Sequence, residues 1–381
     1  MKRNIAIIVQ KLTGGGAERT AANLSVNLSK YYNVFLYVFN TSSVTYHYSG
    51  TLRTIDKASY DSTIGKITNI LRRIHVIRKL KKQDHIDVSI SFLNFANFVN
   101  VLSTKRDKTI ISIRNNVESL ASRADKIALS TSMKKTDRAV SLSKSVEKQL
   151  VAQFHCSDKT LTIYNAVPVQ NTNMDTYAGP SGKFFVTTGR LTKQKGHWHL
   201  IKAMSIVCKK HSDAQLVILG EGELRKPLQK LIEDLNLQRN VTLYGYCPNP
   251  APVVKASQAF VFSSLFEGLG NSIVEALSLG KYIISTDCPH GPAELLNDSF
   301  CLEHTNSIQA KYGVLVPAFD DGMDFSTNIT DAESVLADEM IRVLESPELK
   351  VHYEVLALER AKDFSESVIT QEWVKLIESV L

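Results

Sequence analysis

Short apolar runs alternate with helical stretches along this chain, and they do so in two separate rounds. In the first round "NIAIIVQKL", "NVFLYVFN", "DVSISF", "TIISIR", "DRAVSLS" and "TLTIYNAV" are each brief and rich in β-branched residues. They are continuously apolar rather than alternating, the pattern of strands buried on both faces of a parallel sheet under helices. The polar stretch "PVQNTNMDTYAGPSG", with Pro, Gly and few large apolar residues, breaks the series. A second round follows with "KFFVTTGRL", "AQLVILGEG", "NVTLYGY", "AFVFSS" and "KYIISTD". The alternation predicts an α/β protein of two doubly wound domains, residues 1–172 and 173–365. In the closing segment, 366–381, Val368, Trp373, Leu376 and Ile377 fall near helical spacing, which predicts a helix packing back on the first domain. A length of 381 residues agrees with two domains at roughly 100–200 residues each.

Five cysteines, Cys156, Cys208, Cys247, Cys288 and Cys301, stand far apart with no C-x-x-C pair. That spacing argues against a zinc cluster or a redox motif and fits a reducing compartment. "NIAIIVQ" is too short for the apolar core of a signal peptide, and no apolar run approaches the ~20 residues of a membrane span. The expectation is a protein made and kept in the cytoplasm. Charge is unevenly divided: residues 1–170 hold 26 Lys and Arg against 11 Asp and Glu, and the remainder 19 against 27. A basic first half suits an anionic partner.

"SSLFEGLGNSIVEALSLGK" has a strand before it and a helix start inside it, with Glu267 just ahead of the helix and Glu275 about one turn in. Open α/β sheets bind ligands outside the carboxyl ends of their strands. There the free N–H groups and dipole of the helix start at Gly268, Leu269, Gly270 and Asn271 attract a phosphate. A carboxylate at Glu275 suits hydroxyls such as those of a ribose, and Glu267 suits sugar hydroxyls. Upstream, "VTTGRLTKQKGHWHLIKA" ends a strand with Arg190 and Lys195, a planar fork and a point charge able to grip a diphosphate. In "KLTGGGAERTAANLS", Gly15 and Gly16 let backbone approach a ligand; the run is not G-x-G-x-x-G and no acid ends the next strand, so an NAD site lacks its ribose partner.

Taken together these motifs resemble glycosyltransferase family 4, retaining enzymes of the GT-B fold, in which two Rossmann-like domains face each other across a cleft. Glu267-x7-Glu275 matches the E-x7-E signature of that family. "GRLTKQKG", "ILGEGELRKPLQKLI", "NVTLYGY", "GKYIISTDCPHGPAELL" and "YGVLVPAFD" fall in its order. The resemblance implies transfer of a hexose or N-acetylhexosamine from a nucleotide-sugar, with UDP the expected nucleotide, and retention at the anomeric carbon. Arg190 and Lys195 would then bind the donor diphosphate, the amides of Gly268–Asn271 the distal phosphate, Glu275 the ribose and Glu267 the donor sugar. Gly15 and Gly16 would approach the diphosphate, and Tyr246 would border the base. No D-x-D tripeptide is present, so neither a metal nor another cofactor is expected, and charge on the leaving group falls to Lys, Arg and a helix dipole.

On the acceptor side the family's usual His or acid is replaced by "IISIRNNVES". Arg114, Asn115 and Asn116 occupy that region: Arg114 binds an acceptor phosphate, or Asn115 a donor hydroxyl, or Arg114 only closes a strand with a surface charge, and the residues alone leave these open. "GKITNILRRIHVIRKLKKQD" sets Ile67, Ile70, Leu71, Ile74 and Ile77 at helical spacing beside Lys66, Arg72, Arg73, Arg78, Lys79, Lys81 and Lys82. Such a basic helix over 65–83 is expected to lie on an anionic membrane surface, each basic group near the surface adding about 1 kcal/mol. That points to a peripheral enzyme at the inner face of the cell membrane, with a lipid-linked glycan acceptor and a role in capsule, exopolysaccharide or similar surface polymers. Nucleic acid is not expected, since no stacking aromatics interleave the charges. A nucleotide-sugar epimerase, a sugar phosphorylase and a non-catalytic sugar-nucleotide-binding subunit are the rival readings.

Overall fold

The computed structural model describes residues 2–41, 43–55, 63–114, 122–167, 172, 182–300 and 303–381, with the backbone alone for 63–67. The chain divides into two compact units, Met1–Ala166 with Glu366–Leu381, and Val167–Ser365. The polar stretch 168–182 lies outside the described residues except at positions 172 and 182.

In the first unit β1 (Asn4–Val9), β2 (Asn33–Val38), β3 (Thr51–Thr54), β4 (Val88–Phe92), β5 (Lys108–Ile113), β6 (Arg138–Ser141) and β7 (Thr160–Thr162) form one sheet. Its order is β3-β2-β1-β4-β5-β6-β7, and all its pairings are parallel. The helices α1 (Gly16–Leu28), α2 (Thr63–Gln83), α3 (Asn94–Ser103), α4 (Arg123–Lys135) and α5 (Lys144–Phe154) alternate with the strands. β1 and β4 are buried along almost their whole length, as parallel strands covered on both faces must be. Side-chain oxygens start two of the helices: Ser122 accepts from the Asp125 N–H at α4, and Ser143 accepts from the Val146 N–H at α5.

The final helix, α13 (Glu366–Val380), belongs to this first unit. Its Ile369, Trp373, Leu376 and Ile377 are buried in the same cluster as Leu28, Val88, Phe92 and Ile110. The Trp373 ring lies 6.2 Å from that of Phe92, and the Tyr32 hydroxyl donates to Glu378 at 2.6 Å.

The second unit carries β8 (Phe184–Thr188), β9 (Gln215–Leu219), β10 (Val241–Gly245), β11 (Ala259–Phe262), β12 (Ile283–Thr286), β13 (Ile308–Ala310) and β14 (Gly313–Val316) in the order β10-β9-β8-β11-β12-β14-β13. Only β13 runs antiparallel. Around them lie α6 (His197–Lys210), α7 (Arg225–Asp234), α8 (Ala251–Ala256), α9 (Asn271–Ser278), α10 (Pro292–Asn297), α11 (Asp331–Glu345) and α12 (Pro347–Ala361). A reciprocal capping box between Thr330 and Glu333 fixes the start of α11. This is the doubly wound α/β organisation that the alternating pattern predicts. β3 and β13 escape that reading: they are edge strands of four and three residues with little buried surface of their own, too short for a periodicity to show.

Both sheets reverse winding direction at one point, between β1 and β4 and between β8 and β11. At such a switch point the loops leaving two neighbouring strands diverge to opposite faces and leave a crevice.

Candidate active site

β8 and β11 are adjacent, Ala259 beside Phe185 and Phe260 beside Val186, so their exits emerge together. After β8 the chain passes Arg190, then the fully buried Leu191, then a short 3-10 turn over Lys193–Lys195. Gly196 follows at φ +56°, and a Cβ there would come within 2.3 Å of the Ser263 carbonyl oxygen; only glycine permits both that backbone and that approach. The two loops are stitched together. Ser263 Oγ donates to the Lys195 carbonyl at 2.9 Å, the Leu265 N–H donates to the Gln194 carbonyl at 2.8 Å, and Gln194 Nε2 donates to the Phe266 carbonyl at 3.1 Å.

The stitching brings Lys195 to Glu267. Lys195 Nζ lies 2.5 Å from Glu267 Oε1, and Ser264 Oγ donates to the same oxygen at 2.9 Å. Lys195 Nζ also stands 5.2 Å from the centre of the Phe262 ring, a cation–π contact. Both side chains are mostly enclosed, 17% exposed for Lys195 and 10% for Glu267. The Glu267 N–H donates to the Pro289 carbonyl at 3.2 Å, tying this loop to the one that leaves β12. Four residues later α9 begins, with Gly270 at its N-cap, where there is no side chain to cap the helix, and with no acid in its first turn. A helix start of this kind keeps its dipole available to an anion.

The remaining second-unit candidates surround this pair in sequence and at the strand exits. Glu275 lies in the second turn of α9, half-buried, and Arg190 is exposed at the exit of β8. Tyr246, just past β10, is 76% exposed. His197, the first residue of α6, is buried, and burial followed by the charge of Lys195 pulls its pKa down to about 3, so the imidazole is neutral.

Gly15 and Gly16 belong to the first unit, at the start of α1. The Glu18 carboxylate folds back over Gly15, so that a Cβ there would stand 2.0 Å from Glu18 Oε2. Glu18 is itself buried. In this conformation the first turn of α1 is covered by its own carboxylate.

Comparison with known sequences matches each half to a glycosyltransferase family model. The family described as Glycosyl transferases group 1 matches residues 175–316, and Glycosyltransferase Family 4 matches residues 14–171. The chain belongs to glycosyltransferase family 4. An uncharacterized glycosyltransferase of Methanocaldococcus jannaschii is 44% identical over 205 residues, which span 52% of this chain and 50% of that protein. The N-acetylgalactosamine-N,N'-diacetylbacillosaminyl-diphospho-undecaprenol 4-alpha-N-acetylgalactosaminyltransferase of Campylobacter jejuni is 28% identical over 98% of this chain and 99% of its own length. Among solved structures, HepE of Anabaena in complex with UDP superposes over the whole of both chains with a TM-score of 0.75 at 16% identity. At that identity the likeness shows the fold, which is GT-B.

In this glycosyltransferase the structure also corrects the reading of α2 as a helix whose whole basic complement faces a membrane. Lys81 is buried: its Nζ lies 2.7 Å from Asp107 Oδ2 and donates to Asn100 Oδ1 at 2.7 Å. Burial drives its pKa down to about 8, against the pull of Asp107. Arg73 stacks 5.1 Å over the rings of Phe39 and Phe95, and Arg78 donates to the Leu102 carbonyl at 2.7 Å. Ile77 is fully buried and Ile74 packs beside it, so the apolar stripe of α2 is a core face. Arg72, Lys79 and Lys82 are exposed, with Leu71; the side chains of Lys66 and Ile67 lie outside the described residues. A spacing argument cannot separate basic residues that face solvent from those that a neighbouring strand or helix neutralises.

Arg114 is 7% exposed, which rules out a surface charge closing β5. Asn115 and Asn116 lie outside the described residues. Ser264, Gln194 and Pro289 are site residues that the sequence reading missed. Ser264-x-x-Glu267 has the spacing of a capping box, and that was the one signal available for it; Pro289 acts through its carbonyl and Gln194 through its carbonyl and its side-chain amide, contacts that no motif marks.

Proposed function

We propose that this glycosyltransferase moves a hexose or N-acetylhexosamine from a UDP-sugar, with retention at the anomeric carbon and without a metal, to a lipid-linked glycan in cell-surface polysaccharide synthesis. The observation that carries the reading is the Lys195–Glu267 pair close in sequence to the glycine-led start of α9. The leaving group is a nucleoside diphosphate, and stabilising its developing charge is the main demand on the protein. Lys195, Arg190 and the N–H groups at Gly268–Asn271 supply positive charge for it. Once the diphosphate takes Lys195, Glu267 is released from that ion pair to accept hydrogen bonds from sugar hydroxyls. Glu275 accepts from the ribose, and the exposed ring of Tyr246 borders the base. Gly15 and Gly16 leave the backbone at the start of α1 open to a phosphate once Glu18 has turned aside.

Supporting the lipid-linked acceptor is the relative from C. jejuni, whose name specifies a diphospho-undecaprenol acceptor, over nearly the full length of both chains. HepE, a neighbour in fold, is complexed with UDP. Among the described residues no helix is long and apolar enough to cross a membrane. The exposed Arg72, Lys79 and Lys82 of α2 provide an electrostatic contact to anionic lipid at the inner face of the cell membrane. The test is a panel of nucleotide-sugars incubated with the protein and a polyprenyl-diphosphate saccharide. Release of UDP coupled to an extended lipid-linked product is expected. Conversion of the donor without an acceptor would make the protein an epimerase, and no turnover or binding of any nucleotide-sugar would remove the reading.

A further inference from the structure

Arg114 stands at the carboxyl end of β5 in the first unit, enclosed and, among the described residues, without a counter-ion. Its guanidinium carbon lies 5.1 Å over the ring of Phe92, the last residue of the neighbouring β4. Nη1 donates to Asn165 Oδ1 at 2.7 Å. The same Asn165 oxygen accepts from Thr20 Oγ1 at 3.2 Å, and Thr20 Oγ1 reaches the Gly16 carbonyl at 2.9 Å, in the first turn of α1. Arg114 is thereby linked through two side chains, Asn165 and Thr20, to the start of the 13-residue helix α1. Its Nε and Nη2 are buried and have no hydrogen-bond partner. Among the described residues no carboxylate lies within ion-pair distance of it.

Folding alone gives no reason for this arrangement. A buried guanidinium with a neutral amide as its hydrogen-bonded partner and two orphaned donors is destabilising, and structures keep such groups where a ligand completes them. Burial lowers the Arg114 pKa to about 9, which leaves the group charged at neutral pH. What is missing is therefore an anion with several acceptor oxygens, the chemistry of a phosphate, which a guanidinium binds through two parallel N–H donors. The carboxyl edge of the sheet beside the switch point is where a ligand enters this fold.

Resting on the proposed function, in which the second unit grips the donor and the acceptor carries a diphosphate, we infer that Arg114 is the acceptor-phosphate contact of the first unit. The phosphoryl group of the lipid-linked acceptor draws the guanidinium out over Phe92 and satisfies Nε and Nη2, while Asn165 keeps hold of Nη1.

Farnesyl diphosphate, farnesol and inorganic phosphate are the probes, each titrated against the full-length protein at saturating UDP. The wild type is expected to bind farnesyl diphosphate at least tenfold more tightly than either of the other two. Arg114→Gln, which keeps a donor for Asn165, is expected to lose at least tenfold in affinity for farnesyl diphosphate while its affinity for UDP stays within twofold. Its Tm without ligand should equal or exceed that of the wild type, because an uncompensated buried charge has been removed. Arg114→Lys should recover part of the binding. Unchanged farnesyl diphosphate affinity in Arg114→Gln overturns the inference. So does an equal loss of UDP affinity, which would assign Arg114 to the donor, or equal binding of inorganic phosphate, which would make this a free-phosphate site. A lower Tm with no selective loss of farnesyl diphosphate would make Arg114 a structural anchor for Asn165. Wild-type UDP binding and donor turnover test the proposed function separately, so the two can fail independently.

Discussion

Lys195 Nζ and Glu267 Oε1 lie 2.5 Å apart although 72 residues separate them in the chain. The contact is the product of a single strand pairing, β8 against β11, reinforced by hydrogen bonds from Ser263, Leu265 and Gln194. Without ligand the two charges neutralise each other. The same two groups are assigned to opposite ends of the donor, the diphosphate and the sugar.

Lys195→Ala is expected to lower kcat by roughly 10²–10³-fold, the usual consequence of removing one group that meets developing charge. Far-UV circular dichroism should be unchanged. Glu267→Gln should be comparably impaired. The double variant should be no worse than the poorer single one, because the residues share one network and do not act independently. Steady-state kinetics on the three variants, with additive losses, would disconnect the pair.

Glu275→Ala should act chiefly on donor binding. Loss of a charged acceptor for ribose hydroxyls corresponds to about 1.5–3 kcal/mol, or roughly 10–150-fold in Kd. Titration calorimetry with UDP reads this directly, and an unaltered Kd would remove Glu275 from the donor site.

α2 yields two opposite expectations from one run of basic residues. Lys81→Ala leaves Asp107 buried and unpaired, and should destabilise the protein by about 3–5 kcal/mol in urea unfolding. Replacing Arg72, Lys79 and Lys82 together by Ser should leave stability within about 1 kcal/mol and weaken sedimentation with phosphatidylserine vesicles by roughly 1 kcal/mol per charge. Vesicle binding that survives the triple change would show that this face is not the membrane contact.

His197 gives the fold an acid-side liability. Its pKa is near 3 in the folded chain and about 6.5 when unfolded. Between those values the unfolded state binds the extra proton, so stability is lost as pH falls from about 6.5 toward 3 and is fully present above that window. Wild type is expected to lose roughly 2–3 kcal/mol from this group between pH 7 and 4.5, and His197→Gln should lack that component. Urea midpoints at the two pH values decide it, and identical pH slopes would refute it.

The sequence by itself determined the layering of this protein, because that depends on interactions local to each segment. A run such as Ile5–Val9, apolar at every position, can only be a strand covered on both faces, and α1, α6 and α13 carry helical periodicity around their buried residues. It also made the Glu267-x7-Glu275 spacing, the Arg190–Lys195 loop and the glycine-flanked start of α9 legible, since each is a contiguous piece of one strand–loop–helix connection. Tertiary structure alone decided which charges meet. Lys81 reads like its neighbours Lys79 and Lys82, yet it meets Asn100 and Asp107 because α2 packs against α3. Arg114 reads like a polar strand end, yet it is buried over Phe92 of β4 and bonded to Asn165, which Thr20 of α1 also bonds. The charge state and hydrogen bonding of such groups depend on desolvation by segments far away in the chain, and no local pattern encodes that.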